Sequence, residues 1–482
     1  MPNPNVLMLM GDEHPVFMLG CYGHRSVKSP TLDGLAQRGV VFDAAYCPSP
    51  ICAPSRAAMM TGRHVHTIGV WDNAAPLASD WPTVAHSFRA AGYRTVACGK
   101  LHYVGPDQYH GFEERWTQDI YPATFDWTRS NRAEVAVNPG QNIHQVMRAG
   151  IGRSNDMDYD DEALFRATYG LQRLARREDR RPWFLCVSFS NPHPPYVCPE
   201  AYWNRYSDDD VDLPAIPDDY LDREHDYVKW LRRHGSFDRL VPDDICRAAR
   251  RSTLGRVSML DDALGRILAL IDELGFADDT VVLYTSDHGD MMGEHGLWFK
   301  NAAYEWSSRV PLMVAGPGIE PRREAEIVSL LDLGPTLCGL AGIEPIYDVT
   351  DGRDVSDLVM GARPSGDGLA VMENYGEGVW RGWRMVRRGQ YKLNVVPDCE
   401  PELFDLDADP DEWANLAADP AHAAVRADLE RIALDGWDPD AADEDRWRSE
   451  ERRLAILRAH EQGPPLDWLR PSPSPEHPLG LR

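Results

Sequence analysis

The stretch Asn5-Val6-Leu7-Met8-Leu9-Met10-Gly11-Asp12-Glu13-His14 decides the fold. Its apolar run has no alternation, so it reads as a strand buried on both faces, the pattern of a parallel sheet covered by helices on both sides. The run delivers Asp12 and Glu13 to the C-terminal strand edge, where open parallel sheets bind ligands. Similar apolar runs recur at 95–98, 183–189, 280–285 and 311–315, with helical patterns between them at 83–91, 160–177 and 246–274. Strands alternating with helices predict an α/β fold on a large, mainly parallel or mixed sheet sandwiched by helices.

Beyond about residue 342 the chain changes character. Segments 369–373, 383–387 and 391–396 predict a short antiparallel sheet, with Arg388-Gly389-Gln390 as the turn between the last two. A helix is expected over 421–434, and a charged helix from 441 leads into a proline-rich end from Gly463 onward, which cannot build a core of its own. The expected division is a catalytic domain at 1–345, a smaller C-terminal α+β subdomain at 346–440, and a helix and tail at 441–482.

The 482 residues are 43% apolar and 26% charged, an ordinary globular composition. The first ten residues lack a basic start and a small-residue cleavage site, and no later run approaches membrane-spanning length, so a cytoplasmic protein is expected. Nine scattered cysteines without a Cys-x-x-Cys pair argue against a disulfide framework. A net charge of −26 disfavours nucleic acid and favours small substrates, including ones with a positive group.

Five short motifs carry candidate chemistry. In Cys52-Ala53-Pro54-Ser55-Arg56, running on to Thr61-Gly62-Arg63, Pro54 suits the first position of a helix that stops at Gly62. The helix start would present backbone N–H groups to an anion beside the Arg56 guanidinium. A lone cysteine before a helix is ordinarily a small buried hydrophobe, but this spacing of Pro, Ser and Arg is more specific. Ser286-Asp287-His288-Gly289-Asp290 follows a strand, and its carboxylate and imidazole, with Asp12 and Glu13, are suitable ligands for a divalent cation. Cys98-Gly99-Lys100-Leu101-His102 puts Lys100 and His102 on one face of an extended segment. In Asn191-Pro192-His193-Pro194-Pro195 the flanking prolines stiffen the backbone around His193. Gly296-Leu297-Trp298-Phe299-Lys300 brings a cation close to the Asp287 loop.

In this order along residues 5–416, the motifs resemble the formylglycine-dependent sulfatases of the alkaline phosphatase superfamily. Glu402-Leu403-Phe404-Asp405-Leu406, with Asp409-Pro410 and Asn415-Leu416, is similar to the family's ending. The resemblance implies an alkaline phosphatase-like fold and a Cys52 oxidised by an external maturating enzyme to formylglycine, whose hydrate is the nucleophile. It implies that Asp12, Glu13, Asp287, His288 and the modified Cys52 bind a divalent metal, calcium first, with magnesium or manganese as alternatives. Arg56, Lys100, His102, His193 and Lys300 would surround the sulfate, and His102 or His193 would assist proton transfer.

The runs 69–73, 105–115 and 293–300 look like the choline sulfatase branch of that family. The implied substrate is choline sulfate or a related small sulfate monoester, with a phosphonate monoester or phosphodiester on the same scaffold as the alternative. Trp127 fits one aromatic wall for a quaternary ammonium, Glu373 and Glu377 could supply counter-charge, and Trp380 and Trp383 are further aromatic candidates. Where the branch commonly has Asp-Gln, this chain has Asp12-Glu13, which adds a negative charge to the metal shell. Residues 138–151 lack the second aromatic wall that the branch usually supplies. In the branch a C-terminal arm reaches a neighbouring subunit, and the tail here carries Leu466, Trp468, Leu469 and Leu479. A homodimer or homotetramer is expected, with no nucleic-acid or membrane partner.

Overall fold

The computed structural model describes residues 3–128, 137–138, 140–347, 349–362 and 368–462. β1 (Asn5–Asp12) is fully buried, as its unbroken apolar run predicts. Val6, Met8 and Met10 point into one core cluster and Leu7 and Leu9 into another on the opposite face. At about 1.5–3 kcal/mol per buried aliphatic side chain, these five residues contribute on the order of 10 kcal/mol of transfer free energy.

The other sheet strands are β2 (Val40–Phe42), β3 (Arg94–Gly99), β4 (Glu114–Arg115), β5 (Trp183–Pro192), β6 (Thr280–Ser286), β7 (Leu312–Ala315) and β8 (Arg322–Glu324). They form an eight-stranded sheet in the order β8-β2-β7-β6-β1-β5-β3-β4. β1 runs parallel to β5 and β6, and β3 parallel to β5. β7 is antiparallel to both its neighbours, so the sheet is mixed, as expected. The strands β2, β4 and β8 span only two or three residues each and leave no periodic signal in the sequence.

Helix α1 (Cys52–Thr61) lies on one side of the sheet. Helices α2 (Asn155–Arg176) and α3 (Asp243–Glu273) cover the other with Leu164, Leu171, Leu260, Leu264 and Ile267. Both start a few residues before the apolar periodicity does, with acidic first turns that suit helix N-termini.

The C-terminal strands β9 (Ala370–Asn374), β10 (Trp383–Arg388), β11 (Tyr391–Val395) and β12 (Glu402–Asp405) form a four-stranded antiparallel meander. The expected hairpin closes through Gly389, at φ 56°. β12, which the sequence marks only as a family-like ending, adds a fourth strand to the three expected. The inner face of this sheet, with Met372, Trp383 and Met385, shares the α1-side core, and its outer face packs on α4 (Ala423–Leu434). Helix α5 (Pro439–Gln462) follows. The tail expected to bridge subunits, 463–482, lies outside the described residues. No helix among the described residues is long and apolar enough to cross a membrane.

Candidate active site

Four strand ends and one helix start converge. β1 presents Asp12 and Glu13, β3 leads into Lys100 and His102, β5 leads into His193, β6 leads into Asp287 and His288, and α1 begins at Cys52 itself. Cys52 is therefore the first helical residue and Pro54 the third, two places later than Pro54 was expected. The Ala53 N–H donates to Asn73 Oδ1 at 3.0 Å, so this helix start satisfies one of its donors within the protein. Gly62, at φ 66°, ends the helix as predicted.

Arg56 sits beneath Cys52, buried, and holds the acids apart. Its Nη2 donates to Asp12 Oδ2 at 2.7 Å and its Nε to Asp287 Oδ2 at 2.8 Å. Its Nη1 donates to Lys100 O at 2.6 Å and Ser188 Oγ at 2.9 Å. Burial works against the guanidinium charge, but Asp287 and Asp12 outweigh it and keep Arg56 protonated. Lys100 Nζ lies 2.5 Å from Asp12 Oδ2. Burial alone would raise Asp12; Lys100 and Arg56 instead hold its carboxyl well below the usual range.

One ligand atom each from Asp12, Cys52, Asp287 and His288 lies within 4.8 Å of the others, as do atoms of Asp12, Glu13 and His193. His288 Nδ1 faces the Gly289 carbonyl at 3.0 Å, which can only accept, so the proton sits there and the Nε2 lone pair faces Cys52 Sγ at 3.2 Å. That is the orientation of a metal-ligating histidine with its other nitrogen anchored. Glu13 Oε1 is buried with no protein partner, and burial pushes its carboxyl up to about 7 despite Lys300. A cation would satisfy that oxygen, and three carboxylates with one imidazole suit a hard divalent ion. The donor set therefore fits the expected metal. Glu13 is held at φ 55°, a strained conformation of the kind that collects at functional sites.

Above Cys52, Lys300 Nζ bonds Glu13 Oε2 at 2.6 Å and approaches His193 Nε2 at 3.3 Å. His193 Nδ1 donates to Pro194 O at 2.6 Å, which leaves Nε2 as an acceptor facing Lys300. His102 is buried with neither ring nitrogen partnered, its ring 4.7 Å from Tyr121 and 5.9 Å from Trp127. Burial, then Lys100 and Arg56, depress His102; burial, then Lys300 and Lys100, depress His193. Both rings are neutral in the free protein. Burial pushes the Cys52 thiol up to about 12 against the pull of Lys100 and Lys300.

A cavity of about 420 Å³ opens from Cys52, His193 and Lys300, with Tyr121 and Trp127 on one wall and Asp72, Glu377 and Glu450 among its other lining residues. Trp127 and Glu377 thus stand where a substrate group could meet them, Glu377 held by Asn73 Nδ2 at 2.8 Å. Glu373 does not. It is fully buried behind the wall, 2.6 Å from Arg384 and 2.8 Å from His66, and its carboxyl is held far down, burial notwithstanding, by the Arg384 charge. Trp383 is likewise core, at 0% exposure. The reading of the sequence missed Tyr121, Asn73, Gln141 and Glu450. Tyr121 supplies the second aromatic surface, from a segment upstream of the one where it was sought.

Residues 4–343 match the sulfatase family model, and residues 293–435 match the model of the N-sulphoglucosamine sulphohydrolase C-terminal region. The chain is 39% identical to a choline-sulfatase of Rhizobium meliloti over 96% of its length and 93% of the relative's. It is 27% identical to an arylsulfatase of Clostridium perfringens, over 86% and 90% of the two chains. A phosphonate monoester hydrolase of Agrobacterium radiobacter superposes with a TM-score of 0.74 at 26% identity, covering 90% and 95%.

Proposed function

The chain belongs to the sulfatase family and is a sulfuric ester hydrolase, and from that premise we propose that it cleaves small sulfate monoesters of cationic alcohols, choline sulfate or a close relation, at residue 52. The observation that carries this reading is the cavity: cationic and metal-type residues at its floor, and Tyr121, Trp127 and Glu377 along its walls, in a volume of about 420 Å³ that suits a small ester. An ammonium group is attracted to aromatic faces and to carboxylates, while a sulfate is attracted to Lys100 and Lys300.

As encoded, Cys52 is a poor nucleophile, since a buried thiol near pKa 12 holds almost no thiolate at neutral pH. Residue 52 oxidised to formylglycine by a maturating enzyme and then hydrated supplies an oxygen nucleophile, and a divalent ion, calcium first, in the Asp12, Glu13, Asp287 and His288 cluster supplies Lewis acidity. Arg56 helps keep Asp12 ionised and holds the Asp12 and Asp287 side chains in place. Lys100 and Lys300 bind the sulfate oxygens and offset the charge that develops on them. Of the two histidines, His193 lines the cavity beside Lys300 and would assist proton transfer to the leaving oxygen, while the buried His102 would take a proton from the hydrate.

Mass spectrometry of the residue-52 peptide from protein made in its native host, read with sulfate release from choline sulfate, tests the proposal. Formylglycine should be found, and Cys52→Ala should fall to background; full activity in that variant would overturn it. Activity lost to a chelator should return with calcium, magnesium or manganese. The likeness to a phosphonate monoester hydrolase favours a second reading, so kcat/KM on choline sulfate should exceed that on a phenylphosphonate monoester, and the reverse order would establish the alternative. We also propose a cytoplasmic homodimer or homotetramer joined through the tail, for which light scattering should show more than one chain and deletion of 463–482 should lower that number.

A further inference from the structure

The histidine that lines the cavity sits in a loop with few backbone donors of its own. In Asn191-Pro192-His193-Pro194-Pro195 three prolines lack an N–H, so only Asn191 and His193 can tie this stretch down by donating. The His193 N–H donates to Ser190 O at 2.9 Å and its ring Nδ1 to Pro194 O at 2.6 Å, so both bonds stay inside the loop. They fix the ring relative to the loop, not relative to the sheet. At the ring tip, Nε2 lies 3.3 Å from Lys300 Nζ, 3.4 Å from Gln141 Nε2 and 3.4 Å from the Tyr121 hydroxyl. All three neighbours line the cavity, and Lys300 is the group proposed to bind the sulfate. A hold that outlasts substrate binding has to come from behind the loop.

Two buried side chains on different helices supply it. Asp160 on α2, 6% exposed, takes the N–H of Ser190 on Oδ1 at 2.6 Å. Its Oδ2 takes the N–H of Asn191 at 2.8 Å and the Asn191 Nδ2 at 2.6 Å. Arg256 on α3, 0% exposed, reaches the other end of the loop and donates from Nη1 to Pro195 O at 3.1 Å and Val197 O at 3.4 Å. An acceptor thus takes the N–H groups before His193, and a donor takes the carbonyls after it. Both helices pack on the large sheet, through Leu164 and Leu171 of α2 and Leu260 and Leu264 of α3, so the clamp ties the loop to the sheet itself. On that sheet β5 pairs with β1, with Pro192 opposite Asp12. The clamp therefore sets where His193 stands relative to the acids of the floor.

We propose that Asp160 and Arg256 are positioning residues for sulfate-ester cleavage, together holding the loop 190–197 so that His193 Nε2 meets the leaving oxygen. Neither side chain lines the cavity, so each acts through His193. As the sulfur–oxygen bond to the alcohol breaks, its electron pair stays on the leaving oxygen, and that oxygen takes the proton passed to it from Nε2. A small misplacement of such a group is costly, because proton transfer needs hydrogen-bond reach. This rests on the reading of His193 as the group that assists the leaving oxygen.

The test grades the leaving oxygen. The phenolate of 4-nitrophenyl sulfate leaves without a proton, whereas that of phenyl sulfate leaves less readily and gains from one. His193→Ala should lose at least about 10-fold more kcat on phenyl sulfate than on the nitrophenyl ester, within the scale of general acid catalysis. Asp160→Ala and Arg256→Met should show the same bias, roughly 3-fold or more, with KM little changed. Asp160→Ala combined with His193→Ala should be no worse than His193→Ala alone. Asp160→Asn keeps one accepting oxygen and should fall between Asp160→Ala and wild type; where Asp160→Ala fails to fold, Asp160→Asn and Arg256→Met are read in its place. Equal losses on the two esters, wild-type rates, or losses that multiply in the double variant overturn the positioning role. If His193→Ala itself shows no bias, the reading of His193 falls and the positioning role falls with it. Neither ester carries a cation, so a wild type that cleaves phenyl sulfate and ignores choline sulfate overturns the choice of alcohol and leaves this comparison standing.

Discussion

Arg56 is committed to protein rather than to solvent. It bridges Asp12 and Asp287 and caps the Lys100 carbonyl, and a lysine offers no planar fork for that geometry. Arg56→Lys should therefore lose at least about 100-fold in kcat/KM, and Arg56→Ala should also unfold at lower urea, because breaking a buried pair costs roughly 3–5 kcal/mol. Sulfate-release kinetics and urea titration followed by fluorescence check the two parts; wild-type stability in Arg56→Ala would mean that the acids do not depend on the guanidinium. The residues of this floor were legible because each sits in a short contiguous motif at a strand end or at the start of α1. Glu373 and Glu377 were not separable in that way. Four positions apart, one lies in β9 directly across from Arg384 in β10 and is sealed by a cross-strand ion pair, while the other follows the strand and reaches the cavity. Only the strand register distinguishes them, and register is a tertiary fact.

At the scale of elements, the end of β3 requires a glycine. Gly99 has φ +91°, and a Cβ there would stand 1.8 Å from the Ser188 carbonyl oxygen of the neighbouring strand. Gly99→Ala should push β3 away from β5 and take Lys100 with it. The expected result is a clear loss of melting temperature and of activity; an alanine variant with an unchanged melt would contradict the close approach. Helix α5 shows a different limit of the sequence. Its buried stripe is Asp443, Arg446, Glu450 and Arg453, each 3% exposed or less, so the face that packs is made of charges and an apolar periodicity cannot reveal it. Arg446 donates to Tyr375 O at 2.6 Å, and Arg453 clasps Asp72 with two bonds of 2.8 and 2.7 Å. These contacts bring Glu450 to the cavity wall. Arg453→Ala should loosen that wall while leaving the floor intact, raising KM for choline sulfate about tenfold, about 1.4 kcal/mol, with kcat little changed. Steady-state kinetics decide it, and a fall in kcat with constant KM would place α5 in the chemistry instead.

Across the whole molecule, the C-terminal sheet is joined to the large sheet's side through a buried charge cluster. Lys392 on β11 meets Glu305 at 3.0 Å and Glu412 at 2.8 Å, the Glu305 N–H donates to Glu412 at 2.7 Å, and Tyr46 donates to Glu305 at 3.2 Å. One lysine serves two carboxylates, so the pair cannot ionise as easily as separate acids would. Burial is the larger cause, and with the Glu305 charge it pushes the Glu412 carboxyl up to about 7, while Lys392 pulls the other way. An acid whose folded pKa is raised binds its proton longer in the native state than in the unfolded chain. Its contribution is then fully present below the unfolded value near 4.5 and is lost as pH rises through about 7. The native protein should accordingly lose melting temperature between pH 5 and pH 8. Other buried acids, Asp160 among them at about 7, give slopes of the same sign, so the informative quantity is the difference between two proteins. Glu412→Gln keeps an acceptor for Lys392 and for the Glu305 N–H but cannot titrate, and its melting temperature should fall less over that interval than the wild type's. Scanning calorimetry of both proteins at pH 5, 6, 7 and 8 measures the difference directly. Parallel curves would mean that Glu412 is ionised throughout and that the cluster holds the C-terminal sheet in place independently of pH.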